Sequence, residues 1–426
     1  MRGAFLLVAL GWAVPAAAQQ YEVSLPEAIR RALEVQPAMV QARGDARNAG
    51  AALRASTGAF LPTVTSNASW SRAGGTRFNN ITNTIQNQPV NTTVSGSVSA
   101  SLELFDGFRR LADRNVSAAG QDAADAGLVN QRFQVTLQTK QVFYDALARE
   151  ELVRVAEAQV RRAQQQLQIS IEKLRAGSAT RSDSLRATVE YGNARIALLQ
   201  ARANLATAQA NLGRQIGVDA AVRAVPDTAL PPLPDTSSLR GDLLRTAPQV
   251  VEAEAQARAA RSQVAVSRAA YFPSLSASVS NNYSGSEWPW VSTRTFGEGW
   301  SLRLSLNWTL FNGFTRERQY TTAAVQRDVA EARAADTRRQ LHAQLTQQLA
   351  ALATAHEQIA IARANVAAAA EDLRVQSERY RVGAATILDL LTSQTALTTA
   401  EVNFVQTRFN YLIARAQVEA LLGREL

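Results

Sequence analysis

The most regular pattern in the chain is an alternation of apolar and polar residues between positions 300 and 310. The apolar members are Trp300, Leu302, Leu304, Leu306, Trp308 and Leu310, and the residues between them are Ser301, Arg303, Ser305, Asn307 and Thr309. A period of two is typical of a β-strand with one apolar face and one polar face. The sequence therefore predicts a strand in this segment.

The same alternation is weaker in three other segments, which begin at Thr63, Ser97 and Ser274. Together the four segments predict two β-hairpins, over residues 62–105 and 273–311. The hairpin tips, at 74–90 and 284–299, are polar and are expected to be solvent loops. A strand of about ten residues has the length that a tilted membrane strand needs. The alternative is a soluble sandwich with one buried face.

Long helical segments follow the hairpins. From Gly313 to about Arg381 the sequence has no proline and no interior glycine. Large apolar residues recur every seven positions in this segment, at Leu345, Leu352, Ile359, Val366, Leu373 and Tyr380. At about 1.5 Å per residue, a helix over residues 313–381 would be about 100 Å long. Its heptads indicate coiled-coil packing against another helix.

The same reasoning predicts further helices on either side of the hairpins. A second long helix is expected over residues 107–176, and helices that return along the long ones over 182–216 and 386–422. A shorter helix is expected before each hairpin, from Leu25 to about Thr57 and from Leu239 to about Ala269.

The chain contains two copies of this arrangement. Phe105-Asp106-Gly107-Phe108 returns 206 positions later (311 minus 105) as Phe311-Asn312-Gly313-Phe314. Upstream the offset is 211 (271 minus 60), because Phe60-Leu61-Pro62 matches Tyr271-Phe272-Pro273. Fixed offsets of this length indicate an internal structural duplication. The first repeat is expected over 19–218 and the second over 239–426, joined by a proline-rich linker at 219–238.

The amino terminus is typical of an export signal. Arg2 precedes a short apolar run, and Ala16-Ala17-Ala18 follows it, so residues 1–18 are expected to be a signal peptide. The alternative is a buried N-terminal helix. The chain has no cysteine, which excludes disulfides and thiolate metal sites. No later segment has about 18 consecutive apolar residues, so a location in a membrane would depend on strands.

The formal net charge of +9 raises the possibility of a nucleic-acid partner. The basic residues, however, alternate with acidic ones along the predicted helices and form no dense block. Solvated helix faces explain this distribution better, and an export signal makes a nucleic-acid partner less plausible still. We expect no nucleic-acid binding.

The predicted strands point to assembly in a membrane. Trp70, Trp300 and Trp308 lie in the hairpins, and tryptophan concentrates at membrane–water interfaces. Four strands cannot close a membrane barrel, for which eight is the usual minimum. The chain is therefore expected to be an α+β membrane protein that contributes four strands per protomer to an oligomeric barrel.

The chain resembles the TolC family of outer-membrane channel-tunnel proteins over nearly its whole mature length. The resemblance rests on the duplicated Phe-[Asp/Asn]-Gly-Phe, on the turns at 175–180 and 381–386, and on Ile387-Leu388-Asp389-Leu390-Leu391. It implies a homotrimer with a twelve-stranded outer-membrane β-barrel and a periplasmic α-barrel of coiled-coil helices. It also implies docking to a periplasmic adaptor and an inner-membrane transporter, for efflux or type I secretion.

The resemblance also implies a periplasmic gate. Asp389 matches the first acidic position of the family's narrowest point, whereas Thr392 stands where the best-known members carry a second acid. Ala385 stands where a basic residue can lock the closed tip, so closure is expected to depend on packing around Leu388, Leu390 and Leu391. The alternative for Asp389 is an acidic residue that caps a helix start. The equivalent Asp183 is expected to be a cap.

The turns between the long and returning helices are the expected adaptor contacts. The residues concerned are Arg175, Gly177 and Thr180 in the first repeat and Arg381, Gly383 and Thr386 in the second. The alternative is that Gly177 and Gly383 simply end their helices. The two interpretations are compatible, because a turn at an exposed tip can serve both purposes.

No catalytic pattern is visible in the sequence. His342 and His356 lie 14 positions apart, beyond the spacing of a helical metal pair. We expect no enzymatic activity, no metal and no cofactor. The favoured function is an exit duct for efflux or secretion. A stand-alone porin and a soluble periplasmic coiled-coil scaffold are the alternatives.

Overall fold

The computed structural model describes residues 21–81, 83–226, 230–234, 247–286 and 296–426. The expected signal peptide, much of the expected linker and the expected helix start at Leu239 lie outside these residues. In chain order the elements are β1 Tyr21–Val23, α1 Leu25–Val35, α2 Pro37–Gly58, β2 Thr63–Asn79, β3 Thr84–Phe105, α3 Arg109–Arg175, α4 Arg181–Ile216, β4 Val222–Ala224, α5 Pro248–Ala269, β5 Ser274–Gly285, β6 Gly297–Asn307, α6 Thr315–Arg381 and α7 Ile387–Leu422. The predicted α+β composition is confirmed.

The duplication is visible in the bounds of the helices. α2 and α5 each have 22 residues, and their ends differ by the upstream offset of 211. α3 and α6 each have 67 residues, and α4 and α7 each have 36, with ends that differ by 206. Each repeat is therefore a helix, a hairpin, a long helix and a returning helix.

The chain forms two compact units. One comprises residues 1–41, 129–247 and 341–426, and the other comprises 42–128 and 248–340. The second unit contains an antiparallel sheet in the order β2-β3-β5-β6. The junction between the repeats inside this sheet is the pairing of β3 with β5.

The two hairpins have the same register. Thr63 lies opposite Ser101 in the first, and Ser274 lies opposite Asn307 in the second, which are equivalent positions under the two offsets. Each hairpin also has a contact between two serine hydroxyls at equivalent positions. Ser69 Oγ lies 2.7 Å from Ser95 Oγ, and the equivalent pair Ser280 Oγ and Ser301 Oγ lies 2.9 Å apart.

The first hairpin is longer than the sequence predicts. The expected tip loop at 74–90 is wrong, because β2 continues to Asn79 and β3 begins at Thr84. Backbone hydrogen bonds make the ladder, so polar residues with adequate β-propensity can extend it without an apolar face. Periodicity cannot reveal such an extension.

The last strand is shorter than its alternation predicts. β6 ends at Asn307, although the apolar and polar residues alternate as far as Leu310. Asn307 pairs with Ser274, the first residue of β5. The residue before Ser274 is Pro273. Proline has no N–H to donate to a ladder, so residues beyond Asn307 have no strand partner on that side.

The sheet exposes an apolar face. Trp300, Leu302, Leu304 and Leu306 are 77, 61, 66 and 70% exposed, and Val64 is 66% exposed. Next to Trp300 the apolar side chains of this face give way to polar ones. Asn281, which pairs with Trp300, donates to the Tyr283 hydroxyl at 2.8 Å, and that hydroxyl donates to Glu298 at 3.0 Å.

The first unit is held together by the helical heptads. Leu345, Leu352 and Ile359 of α6 are buried with Tyr411 and Val418 of α7. A second apolar cluster forms around the long helix α3. It contains Phe143 from α3, Leu212 and Ile216 from α4, Phe409 from α7, and Val23, Val222 and Ala224 from β1 and β4. No helix in the described part of the chain is long and apolar enough to cross a membrane.

The single helix expected from Leu25 to Thr57 is wrong. The helix is interrupted at Gln36, whose φ of −63° and ψ of 128° are extended, so that α1 and α2 are separate helices. The cause is Pro37, since the residue before a proline is driven out of the helical region. The expected linker also contains structure, because Val222 of β4 pairs in parallel with Tyr21 of β1.

Candidate functional site

The structure places the expected adaptor-contact residues in two tip turns, residues 176–180 and 382–386. In each, a glycine with positive φ ends the long helix, Gly177 at 73° and Gly383 at 83°. The next residue closes the helix end in the same way in both. Ser178 N–H donates to the Lys173 carbonyl at 2.9 Å, and Ala384 N–H donates to that of Arg379 at 2.8 Å. Both glycines thus act as helix-ending residues.

Open space surrounds both glycines, since a Cβ placed on either would meet nothing within 4 Å. The glycines are therefore needed for the left-handed backbone and not for close approach by a neighbour. The turns remain exposed at Arg175, Thr180, Arg381 and Thr386. Exposure leaves their surface accessible to another molecule.

Each returning helix begins with a reciprocal cap. Thr180 Oγ1 accepts from the Asp183 N–H at 3.2 Å, and the Asp183 carboxylate accepts from the Thr180 N–H at 3.0 Å. Thr386 and Asp389 repeat both bonds, at 3.2 and 2.9 Å. This is the capping box that satisfies the first free amides of a helix. The capping interpretation of Asp389 and Asp183 is thus correct in geometry.

The Asp389 carboxylate accepts more than the one hydrogen bond of the capping box. Its Oδ2 also accepts the Thr386 hydroxyl at 2.8 Å. The Thr386 N–H and hydroxyl together lower the pKa of the Asp389 carboxyl, and the positive charge of Arg379 lowers it further. The group is exposed and is ionised at neutral pH. Arg379 acts on Asp389 through its charge, and its own guanidinium donates to the Ala384 carbonyl at 3.3 Å.

The other expected gate residues line a groove between α6 and α7. Leu388 is 57% exposed, and the Thr392 hydroxyl donates to the Leu388 carbonyl at 2.9 Å. The groove has a volume of about 700 Å³ and is lined by Ala362, Asn365, Leu388, Leu391, Thr392, Thr395, Ala396, Thr399, Ala400 and Asn403. Leu388, Asp389 and Thr392 therefore share the exposed start of α7.

Leu390 does not line this groove. It is 1% exposed and packs with Tyr380 and Ile387 inside its own chain. The expectation that closure depends on packing around Leu388, Leu390 and Leu391 stays a prediction. In the structure, Leu390 fixes the start of α7 against the end of α6.

Lys173 and Tyr380 join the α3–α4 helical hairpin to the α6–α7 hairpin near the tip turns. The Lys173 ammonium lies 4.2 Å from the centre of the Tyr380 ring and donates to the Tyr380 carbonyl. The Tyr380 hydroxyl lies 3.4 Å from Ser170 Oγ. A cation over an aromatic ring stabilises the contact by an electrostatic attraction that is stronger where water is excluded. The first and second repeats are thereby linked close to the tip turns.

The expected interface aromatics are exposed. Trp70, Trp300 and Trp308 are 53, 77 and 57% exposed. Trp308 lies just beyond the end of β6, where its indole N–H donates to the Tyr271 carbonyl at 3.2 Å. Its ring is therefore held at the sheet end with its polar group satisfied.

Among the described residues, no group of three or more His, Asp or Glu side chains is arranged to hold a metal ion. The His356 and Tyr411 rings have centres 5.6 Å apart and are tilted by 59°, and His356 Nδ1 lies 3.8 Å from the carboxylate of the adjacent Glu357. These contacts are structural.

Comparison with protein families gives a match over both repeats. The family described as "Outer membrane efflux protein" matches residues 28–218 and 239–424. The chain is 28% identical over 189 residues to the probable efflux pump outer membrane protein TtgC of Pseudomonas putida, which is 44% of this chain and 38% of TtgC. It is 29% identical over 344 residues to the protein CyaE of Bordetella pertussis, covering 76% of this chain and 68% of CyaE.

Solved structures show the same fold. The structure of CusC aligns with a TM-score of 0.80 at 17% identity, covering 94% of this chain and 92% of CusC. That of VceC from Vibrio cholerae aligns with a TM-score of 0.80 at 17% identity, covering 94% and 96%. That of the open MtrE channel of Neisseria gonorrhoeae gives 0.77 at 18% identity, covering 94% and 89%.

The cap at Asp389 predicts a pH effect at the second tip turn. Its folded pKa is lowered from the ordinary value of 3.8, so its stabilisation is present above that value and lost as the pH falls through the lower folded value. Hydrogen exchange of the amides from Thr386 to Leu390 should keep full protection above about pH 5 and lose it as the pH falls from about 5 to about 2, after correction for intrinsic rates.

Asp389→Asn is the matched variant, because it keeps the shape and removes the charge. Its protection at these amides should be weaker than in the wild type at about pH 6 and nearly independent of pH. A wild-type protection that stays constant over the same range would contradict the role of the ionised carboxylate.

Proposed function

Because the chain belongs to the family of outer membrane efflux proteins, we propose that it is the outer-membrane exit duct of a tripartite efflux pump or type I secretion system. The protein is located in the outer membrane, as the family is. The observation that supports the duct most directly is a four-stranded sheet with an exposed apolar face in a chain whose two repeats both match the family. Transport through such a duct is passive and needs no catalytic step.

The proposed assembly is a homotrimer. One chain supplies four strands, too few to close a membrane barrel, and three copies supply twelve. The exposed apolar side chains of β6 face lipid in this arrangement, and the serines and asparagines of the opposite face line the water-filled interior. The long coiled-coil helices of the three chains form an α-barrel in the periplasm.

The tip turns are the proposed docking point of a periplasmic adaptor, which couples the duct to an inner-membrane transporter. Both turns are exposed, capped and equivalent, so a ring of three chains presents six similar turns. TtgC is named as a component of an efflux pump, which supports an adaptor and a transporter as the partners here.

The gate is proposed at the start of α7. Three copies of Asp389 would face one another across the narrowest part of the tunnel, with Leu388 and Thr392 beside them. The carboxylates are ionised and exposed, so they would attract cations to the constriction. The Thr386 contacts that cap the helix also fix the direction in which each carboxylate points.

Single-channel recording tests the duct and its gate together. Asp389→Asn should lower cation selectivity and weaken block by multivalent cations, because three fixed charges leave the constriction. Asp183→Asn is the control, since it alters the equivalent cap in the first repeat away from the proposed constriction. Equal effects of the two variants, or no effect of Asp389→Asn, would place the gate elsewhere. Absence of any channel from the reconstituted protein would contradict the proposed duct.

The assignment of the sheet faces predicts a contrast between two neighbouring residues of β6. Leu306→Arg should destabilise the barrel by about 2–4 kcal/mol if the side chain lies at the bilayer midplane, and by less near an interface. Asn307→Arg should have a much smaller effect, because it points into the water-filled interior. Heat-modified mobility of the folded barrel in detergent gels measures both. Equal loss of folded protein in the two variants would contradict the assigned faces.

A further inference from the structure

The junctions between strands and helices carry more positive than negative charge. They contain seven arginines and three acidic residues, counted over residues 50–62, 106–116, 262–273 and 309–320. Each acid already has an arginine partner, at 3.0 Å in Asp106–Arg110, 3.5 Å in Asp113–Arg109 and 3.3 Å in Glu317–Arg316. Of the other four arginines, Arg318 lines a polar cavity together with Arg109. Positive charge is therefore in excess at these junctions.

The other three arginines are exposed and have no carboxylate partner in the described ranges. They are Arg54 in α2, Arg114 in α3 and Arg268 in α5. Arg54 Nε donates to the Gly50 carbonyl at 3.4 Å, and Arg268 donates to the Tyr320 hydroxyl at 3.2 Å. Neither contact neutralises the charge, so all three guanidinium groups can pair with an anion.

A series of arginine–aromatic contacts places Arg268 on the apolar side of the sheet. The Arg316 guanidinium lies 4.5 Å from the Tyr271 ring centre, and the Arg268 guanidinium lies 5.4 Å from that of Tyr320. Arg316 and Tyr320 are four residues apart and share one face of α6. The Trp308 indole, which continues the apolar positions of the last strand, donates to the Tyr271 carbonyl. All these contacts therefore lie on the side of the exposed apolar face.

The duplication places the other two arginines on the same side. Arg114 corresponds to Tyr320 at the offset of 206. Arg54 corresponds to Ala265 at the offset of 211, and Ala265 lies one helical turn before Arg268. The three arginines thus belong to one surface, which continues the apolar face of the sheet onto the helices.

The three arginines lie at a similar distance from the sheet. Arg54 is four residues before the end of α2, Arg114 is five residues after the start of α3, and Arg268 is one residue before the end of α5. At about 1.5 Å per residue, each lies within about 8 Å of the junction end of its helix. A bilayer about 40–45 Å thick with a hydrocarbon core of about 30 Å has about 5–8 Å of headgroups on each side. The arginines therefore lie at headgroup depth when the sheet spans the core.

Exposed apolar side chains lie between the strands and the arginines. Five that are 64–72% exposed are Leu61, Phe108, Leu310, Phe311 and Phe314. The surface thus changes from apolar strands to an aromatic junction and then to arginines. This order matches the change from hydrocarbon to interface to headgroups in a bilayer.

We infer that Arg54, Arg114 and Arg268 bind the phosphate groups of anionic phospholipids in the periplasmic leaflet of the outer membrane. A guanidinium group matches the geometry of a phosphate, and basic residues near a membrane surface attract anionic lipids. The exposed apolar side chains beside the arginines favour a lipid over free phosphate, because acyl chains would cover them. The inference rests on the proposed function, since it requires the sheet to span the membrane with the helices in the periplasm.

Native mass spectrometry of the delipidated protein in detergent tests this site. The probes are phosphatidylglycerol and phosphatidylcholine with the same acyl chains, added in equal amounts. The wild type should retain phosphatidylglycerol severalfold more, because the choline headgroup carries a positive charge of its own. The triple variant Arg54→Gln, Arg114→Gln, Arg268→Gln should lose this preference. A preference equal to that of the wild type would overturn the site.

The matched control is the triple variant Arg186→Gln, Arg333→Gln, Arg363→Gln. These three arginines are also exposed and without a carboxylate partner in the described ranges, but they lie away from the junctions. The control should keep the preference of the wild type. Equal losses in the two triple variants would overturn the site, because net charge alone would then explain the retention.

Two measurements on the wild type do not depend on the folding of any variant. Retention of phosphatidylglycerol should fall as the ammonium acetate concentration rises, because exposed charges are screened by salt. Inorganic phosphate should displace no more lipid than acetate does at the same ionic strength. Retention that is independent of salt, or a specific displacement by phosphate, would overturn the assignment to a lipid headgroup.

Detergent dependence separates this inference from the proposed function. A wild type that requires detergent but retains the two lipids equally would overturn the inference and leave the proposed duct intact. A protein that stays in solution without detergent and retains neither lipid would overturn both.

Discussion

The constraint on which the structure depends is the satisfaction of backbone hydrogen bonds at the two edges of a four-stranded sheet. In hydrocarbon, each unpaired N–H or C=O costs several kcal/mol, so a spanning sheet has to close on itself. One chain offers four strands and leaves β2 and β6 open. The sheet also presents large apolar side chains, such as Trp300 and Leu306, to its surroundings. Both features are unfavourable for an isolated chain in water and favourable for a closed assembly in lipid.

The internal duplication supplies the means of closure. Because each chain already contains one junction between unlike repeats, the same contacts can recur between chains without a new kind of interface. The turn that leads from the last strand of each hairpin into the long helix has nearly the same backbone angles in both repeats. Gly107 and Phe108 have φ of 67° and 68°, and Gly313 and Phe314 have 64° and 62°. A bulky residue with positive φ is strained, and its presence twice at equivalent positions indicates that this backbone path is required where a strand becomes a long helix.

Much of the fold could be predicted because its periodic signals are long. Six alternating positions from Trp300 to Leu310, four of them in β6, and six heptad positions in α6 leave little ambiguity. The constant offsets transfer each assignment to the other repeat. The misses have local or tertiary causes. Pro37 divides a helix that periodicity joins, β1 and β4 are too short to show a period, and the polar ends of β2 and β3 are set by backbone pairing. At the tip, the capping boxes were accessible from the Thr-x-x-Asp spacing, whereas the charge of Arg379 near Asp389 and the contact of Lys173 with Tyr380 depend on how the helices pack.

The central claim is that the sheet edges of one chain are completed by other copies of the same chain. The most direct test is the mass of the purified protein in detergent, measured by light scattering with the detergent contribution subtracted or by native mass spectrometry. The account predicts a single species of three chains that requires detergent to stay in solution. A monodisperse monomer that remains soluble without detergent would contradict it, because four strands with an exposed apolar face would then be stable alone.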